Sequence, residues 1–123
     1  LRSSRLPAIL KQVVDDGVRN AIIMNEQGAL IGTAGAEAAD EKVVAAIVSN
    51  VWSEFEGSKT EIGAGELQMQ VFMFETRAVA VSKVQGQFLV CIYGEPSVEL
   101  GLLKRKLEAL CTYLNEQMSR MAL

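Results

Sequence analysis

The side chains that could do chemistry in this sequence are three pairs of carboxylates, two cysteines and one Gly-rich loop. The chain has 123 residues and no histidine, so the commonest general base and the commonest neutral metal ligand are missing. A Ser-His or Cys-His nucleophile pair therefore cannot be built from it. The carboxylate pairs fall at predicted helix ends or on polar helix faces, which favours a solvated surface over an acid/base pair or a metal site. They are Asp15 with Asp16, Asp40 with Glu41, and Glu54 with Glu56.

Neither the cysteines nor the Gly-rich loop predicts a catalytic or nucleotide site. Cys91 and Cys111 lie in apolar segments without metal-type spacing, and we interpret them as reduced core thiols. The stretch GSKT at 57–60 resembles the end of a phosphate loop, but such a loop needs Gly before Lys and must join a strand to a helix. Here Ser58 precedes Lys59, and the stretch follows a predicted helix. We therefore predict a non-enzymatic protein without catalytic residues, metal or cofactor.

The overall charge is mildly acidic, with a formal net value of −3. The one basic cluster is KRK at 104–106, so nucleic acid is not expected as a ligand. Lys104 and Arg105 are expected on the solvated face of the last helix, and contact with an acidic partner is the alternative. No apolar run approaches the about 20 residues that a membrane-spanning helix needs, so membrane contact is expected only through a partner.

The apolar spacing predicts the element order α-β-β-α-β-β-β-α in one domain over residues 1–123. Asp40 is the predicted N-cap of the middle helix. We expect an α/β fold of the α+β type, with a five-stranded antiparallel sheet, the middle helix on one face and the terminal helices on the other. The predicted elements are a helix from Leu6 that stops at Gly17, two strands in 21–35 around a turn at 25–28, a helix at 41–57, a loop at 57–66, strands at 67–75, 77–83 and 87–93, and a helix from near Ser97.

The middle helix carries more apolar surface than one sheet needs. At 100° per residue its apolar side chains cover roughly 180° of the circumference, whereas a helix on one sheet needs a stripe modestly wider than about 100°. One helix about 10 Å wide also cannot cover five strands spaced about 4.8 Å apart. Burial within the helix's own domain is the alternative, but the surplus favours a second chain.

The predicted dimer face combines the middle helix with the third strand, whose open edge a partner strand would cover. Trp52, the only tryptophan, is assigned to this face because tryptophan is enriched at interface hot spots. The predicted face comprises Val43, Val44, Ile47, Val48, Val51, Trp52 and Phe55 on the helix, and Leu67, Met69, Val71 and Met73 on the strand.

Four segments of the chain resemble the Roadblock family, and more closely its branch in the late endosomal/lysosomal adaptor complex, Ragulator. They are MNEQGALIGTAG at 24–35, AAIVSNVW at 45–52, VAVSKVQGQFLVCIY at 79–93 and LGLLKRKLEALCTYL at 100–114. The similarity covers about residues 6–121, and the segment at 45–52 is the most specific part. The loop at 57–66 matches the family least well, so no contacts are carried over to it.

The resemblance implies a roadblock/profilin-like fold that dimerises by pairing middle helices and third strands into a ten-stranded sheet. It further implies a heterodimer with another roadblock subunit, wrapped by a lipid-anchored subunit on the cytoplasmic face of late endosomes and lysosomes. There the assembly would recruit Rag GTPases for TOR and MAP kinase signalling. The alternatives are a homodimeric roadblock protein that regulates a small GTPase or serves as a dynein light chain, and a small enzyme or ligand-binding domain of profilin-like shape.

Overall fold

The computed structural model describes residues 5–35 and 41–120, in which five strands form one antiparallel sheet. The elements occur in the predicted order, with one additional short helix. The helices are α1 (Leu6–Leu10, continued by a 3₁₀ turn at Lys11–Val13), α2 (Glu41–Gly57), α3 (Lys59–Ile62) and α4 (Leu100–Ser119), and the strands are β1 (Val18–Asn25), β2 (Leu30–Gly35), β3 (Gln70–Met73), β4 (Ala78–Val84) and β5 (Phe88–Gly94).

The strand order in the sheet is β2-β1-β5-β4-β3, and every neighbouring pair is antiparallel. A hairpin, β1–β2, and a three-stranded meander, β3–β4–β5, are joined through β1 and β5, which pair from Val18 with Gly94 to Asn25 with Phe88. β2 and β3 therefore lie at the two edges. The predicted five-stranded antiparallel sheet is confirmed.

Two apolar layers sandwich the sheet, because successive residues of each strand face opposite sides. On one side, which we call the terminal-helix face, α1 and α4 cover even-numbered β4 residues such as Ala80. On the other side α2 covers the odd-numbered residues, among them Val79 and Val81. The predicted division of the helices between the two faces is confirmed.

The turn between β1 and β2 forms where Asn and Gly predicted it. The Oδ1 atom of Asn25 accepts hydrogen bonds from the backbone N–H groups of Gln27 at 3.0 Å and Ala29 at 2.9 Å. Gly28 adopts a φ of +89°, and a Cβ atom there would lie 2.6 Å from the Oγ atom of Ser49. Gly28 therefore allows both the turn and its close packing on α2.

Several bounds differ from the sequence prediction. The first helix and its 3₁₀ turn end at Val13 rather than at Gly17, and β1 begins at Val18 rather than Ala21. The expected loop at 57–66 contains the short helix α3, which ends where Gly63 adopts a φ of +69°. β3 begins at Gln70 rather than Leu67, and α4 begins at Leu100 rather than near Ser97. Asp40, the predicted cap of α2, lies outside the described residues. No helix in the described part of the chain is both long enough and apolar enough to cross a membrane.

Candidate dimer interface

The helix α2 has an inner side that packs on its own sheet and an outer side that does not. Its buried residues, which face the sheet, are Ala45, Val48, Ser49 and Trp52. Four apolar residues at four-residue spacing run along the outer side, and we call them the outer stripe: Val43, Ile47, Val51 and Phe55. Val43 is 49% exposed, Ile47 58% and Phe55 53%, although an isolated chain would be expected to bury side chains of this kind.

Beside the outer stripe lies an open apolar groove between α2 and the β3 end of the sheet. Its volume is about 450 Å³. Thr76 and Arg77 are the polar residues that line it, and the Arg77 guanidinium lies 5.5 Å from the centroid of the Tyr93 ring. The lining comprises Val44, Ile47, Val48, Val51, Phe72, Phe74, Thr76, Arg77 and Val79.

Trp52 does not lie on the outer side of α2. The residue is 1% exposed and belongs to the core layer between α2 and the sheet, with Ile22, Leu89 and Cys91. Val48 is 5% exposed and belongs to the same layer, although it also borders the groove. This corrects the expectation that the indole faces a partner: α2 is the only described helix with buried residues in this core layer, and its largest side chain fills the space beneath it.

The third strand contributes mainly its backbone edge and its C-terminal end. β3 pairs with β4 alone among the described strands, so its other edge is open. Met69 and Val71 pack against the terminal-helix face, and Leu67 packs against the core layer beneath α2. Of the four side chains predicted here, only Met73 is largely exposed, at 56%.

Phe72 and Phe74 were not among the residues predicted for the dimer face, although both line the groove. Phe74 is 60% exposed at the end of β3. Strand alternation places Phe72 opposite Val79, on the α2 side of the sheet, while Met73 opposite Ala78 faces the other side. This alternation was already visible in the sequence, and it could have assigned the phenylalanines to the α2 side of the sheet and the methionines to the other side.

The C-terminal end of α2 is held to the sheet by a partly buried ion pair. The Nζ atom of Lys83 on β4 lies 2.8 Å from Oε2 of Glu56 and 3.6 Å from Oε2 of Glu26 in the β1–β2 turn. The hydrogen bond from Lys83 lowers the pKa of Glu56, although burial acts in the opposite direction. Burial alone would lower the pKa of Lys83, but the hydrogen bond and charge of Glu56 raise it.

The other candidate chemical groups do not converge on this groove. Asp15 pairs with Lys106, while Asp16 and Glu54 are exposed. Among the described residues, no group of three or more His, Cys, Asp or Glu side chains is placed to hold a metal ion. Burial raises the pKa of Cys91 to about 12 and that of Cys111 to about 11, which leaves neither thiol ionised near neutral pH.

The phosphate-loop resemblance and the basic cluster also lie away from the groove. Lys59 pairs with Glu66 at 2.8 Å, and its segment joins α2 to α3 instead of joining a strand to a helix. Lys104 and Arg105 are exposed on α4, which packs on the terminal-helix face. The described structure therefore offers an apolar association surface as its main candidate site.

Residues 8–93 match the Roadblock/LC7 domain family. The chain is 26% identical over 118 residues to the Ragulator complex protein LAMTOR2 homolog of Caenorhabditis elegans, an alignment that covers 94% of this chain and 91% of that protein.

Solved structures with a similar fold include two bacterial proteins. Myxococcus xanthus MglB superposes with a TM-score of 0.87 at 15% identity, and the match covers 99% of this chain and 93% of that one. A Roadblock/LC7 domain from Streptomyces avermitilis has a TM-score of 0.82 at 13% identity, with 92% of this chain and 97% of that chain covered. At these identities the comparison concerns the fold alone.

Proposed function

The chain belongs to the Roadblock/LC7 family, and on that premise we propose that it is a non-enzymatic adaptor subunit that pairs with a second roadblock-domain chain in a Ragulator-like complex. The observation that carries the proposal is the apolar groove beside the open edge of β3. The likeness to the C. elegans Ragulator protein supports this branch of the family. The proposed interface contains the outer stripe, Val44, Phe72, Met73 and Phe74.

Pairing would use two kinds of contact. A partner helix would cover the outer stripe and the groove, and a partner strand would join β3 through main-chain hydrogen bonds. Five large apolar residues on these elements are about half exposed, and burying the remaining surface of each contributes roughly 1 kcal/mol. The sum over two subunits is on the order of 10 kcal/mol, comparable with the cost of association, so strand pairing and close packing would decide the affinity.

Further partners follow from the family resemblance of the sequence. We propose that a lipid-anchored subunit wraps the roadblock dimer and holds it on the cytoplasmic face of late endosomes and lysosomes. The dimer would there recruit Rag GTPases and serve TOR and MAP kinase signalling. The chain's own membrane contact would be indirect.

A homodimer is the second candidate, and the chemistry of the same surface favours it. The exposed residues of the proposed interface are uncharged, so a second copy of this chain would meet no like-charge repulsion from them. Such a homodimer would regulate a small GTPase or serve as a dynein light chain.

Expression of the chain alone and together with a second Ragulator roadblock subunit separates the two candidates. The Ragulator proposal predicts a poorly behaved species that co-expression converts into a monodisperse heterodimer in sedimentation velocity. A stable, monodisperse homodimer that does not exchange with the other subunit would favour the second candidate. A stable monomer that binds neither a second copy of itself nor the other roadblock subunit would contradict both candidate functions.

A further inference from the structure

The segment that connects α2 to β3 exposes an apolar side chain without using it in the core. Ile62 in α3 is 61% exposed, and α3 contains no buried residue. The segment joins the two elements that form the proposed interface, so it lies at one end of that interface. The segment therefore follows directly on the helix that carries the outer stripe.

Helical spacing relates Ile62 to the outer stripe. Only Ser58 separates α2 from α3, and the backbone N–H of Ile62 still donates to the Ser58 carbonyl at 3.1 Å. Ser58 has a φ of −96° and a ψ of 5°, so the regular helix is interrupted at this residue, and α3 continues beyond it as a right-handed turn. Ile62 follows Phe55 by seven residues, about two helical turns, and helical spacing carried across the bend favours the same side for both residues.

The local interactions of the segment do not account for its order. A four-residue helix is too short to be stable alone, and Gly63 and Gly65 both adopt positive φ angles, which adds to the entropy cost. Lys59 and Glu66 connect the ends of the segment with an ion pair at 2.8 Å, but the Glu66 side chain is 69% exposed and such pairs contribute little. Burial of Ile62 against another chain would add to this weak local stabilisation.

We propose that Ile62 is an anchor residue for the partner roadblock chain, and that α3 extends the dimer interface beyond the groove. This inference rests on the proposed function, since the occupant is the same roadblock chain that covers the outer stripe. Because the outer stripe and groove are plain apolar surfaces, the projecting Ile62 would help to select a partner with a matching cavity.

The test compares Ile62→Ala and Ile62→Asp with Ile47→Asp in the full chain. The probe is the second roadblock subunit used for co-expression, and the measured quantity is the dissociation constant. We expect about tenfold weaker pairing for Ile62→Ala and a larger loss for Ile62→Asp. Leu100→Asp is the matched control, because Leu100 is 48% exposed on α4, away from the proposed interface.

The outcomes separate this inference from the proposed function. If Ile47→Asp abolishes pairing while both Ile62 variants pair like the wild type, the anchor role is wrong and the groove remains the interface. If Ile47→Asp pairs normally, the proposed interface itself is wrong. Ile62 is exposed, so circular dichroism should give the wild-type spectrum for both variants, and Lys59→Ala should weaken pairing less than Ile62→Ala.

Discussion

Trp52 illustrates how one residue can support a helix without contacting a partner. Its indole lies between α2 and the sheet, while the outer stripe occupies the other side of the same helix. The tryptophan therefore fixes the position of α2, and the smaller apolar residues on the outside are available for association. One helix packed on a sheet several strands wide needs a large side chain on its inner side to fill the space beneath it, and its outer side stays exposed.

We predict that Trp52→Ala destabilises the single chain by about 3–5 kcal/mol, because it leaves a large cavity in the core. The free energy of unfolding should be measured by urea titration with circular dichroism, in an Ile47→Asp background to remove the contribution of pairing. The control is Phe55→Ala, which removes a side chain that is 53% exposed and should change the same free energy by less than about 1 kcal/mol. Equal losses for the two variants would argue against the placement of Trp52 in the core.

The Glu56–Lys83 pair predicts a pH dependence of stability. The pKa of Glu56 is lowered in the folded chain from an ordinary value of 4.5, so its contribution is present above about pH 4.5 and is lost as the pH falls through the folded pKa. Glu56→Gln should therefore cost on the order of 1 kcal/mol at pH 7, and the difference from the wild type should shrink below pH 4.5.

Urea titrations at several pH values measure this difference. Glu116→Gln is the control, since the Glu116–Arg120 pair is exposed on both sides and should contribute little at any pH. A Glu56→Gln penalty that stays constant down to pH 3 would show that the charge of Glu56 is not responsible for the effect.

At the scale of elements, the sequence predicted the helices and strands well because their apolar periods are clear. The narrow stripe of α4 permits one orientation against the sheet, and the apolar runs of β4 and β5 fit central strands that are buried on both faces. α2 is different: its apolar arc is wide enough to contain both an inner and an outer side, and periodicity alone does not say which is which. Placing Trp52 on the inner side required the sheet itself.

The short elements were the least predictable. α3 lies in a stretch rich in glycine and polar residues, which favours a loop on composition, and it buries nothing that would create an apolar period. β3 has four residues, fewer than the nine predicted, because Leu67 and Met69 pack against the core from outside the strand pairing. The apolar residues just before β3 therefore have partly buried side chains, although their backbone does not pair with β4.

The open edge of β3 leads to a prediction about the unpaired chain. An exposed apolar strand edge promotes aggregation, and a lysine on such an edge reduces it. Met73→Lys in an Ile47→Asp background should therefore aggregate more slowly than Ile47→Asp alone, as measured by light scattering at 37 °C. Leu100→Lys provides the matched change on α4, and an equal benefit from it would mean that added charge, rather than the strand edge, is responsible.

At the scale of the whole molecule, the two sides of the sheet are covered unequally by helices. α1 and α4 together cover one side of the sheet, whereas α2 is the only described helix with buried residues on the other, and β3 leaves an edge open beside it. The sequence predicted this imbalance from helix width and strand spacing. The residues that would form the contact with a partner could be assigned only once the rotation of α2 on the sheet was known.

The most direct measurement of the central claim is the mass in solution of the Ile47→Asp variant, taken by sedimentation velocity under the conditions in which the wild-type chain pairs with a roadblock subunit or with itself. Ile47 is 58% exposed at the middle of the outer stripe, so the variant should fold normally, but a carboxylate buried in an apolar interface is strongly unfavourable. We predict that Ile47→Asp sediments as a folded single chain while Leu100→Asp keeps the mass of the wild-type pair. If Ile47→Asp sedimented entirely with the mass of the wild-type pair, the assignment of the interface to α2 would be contradicted.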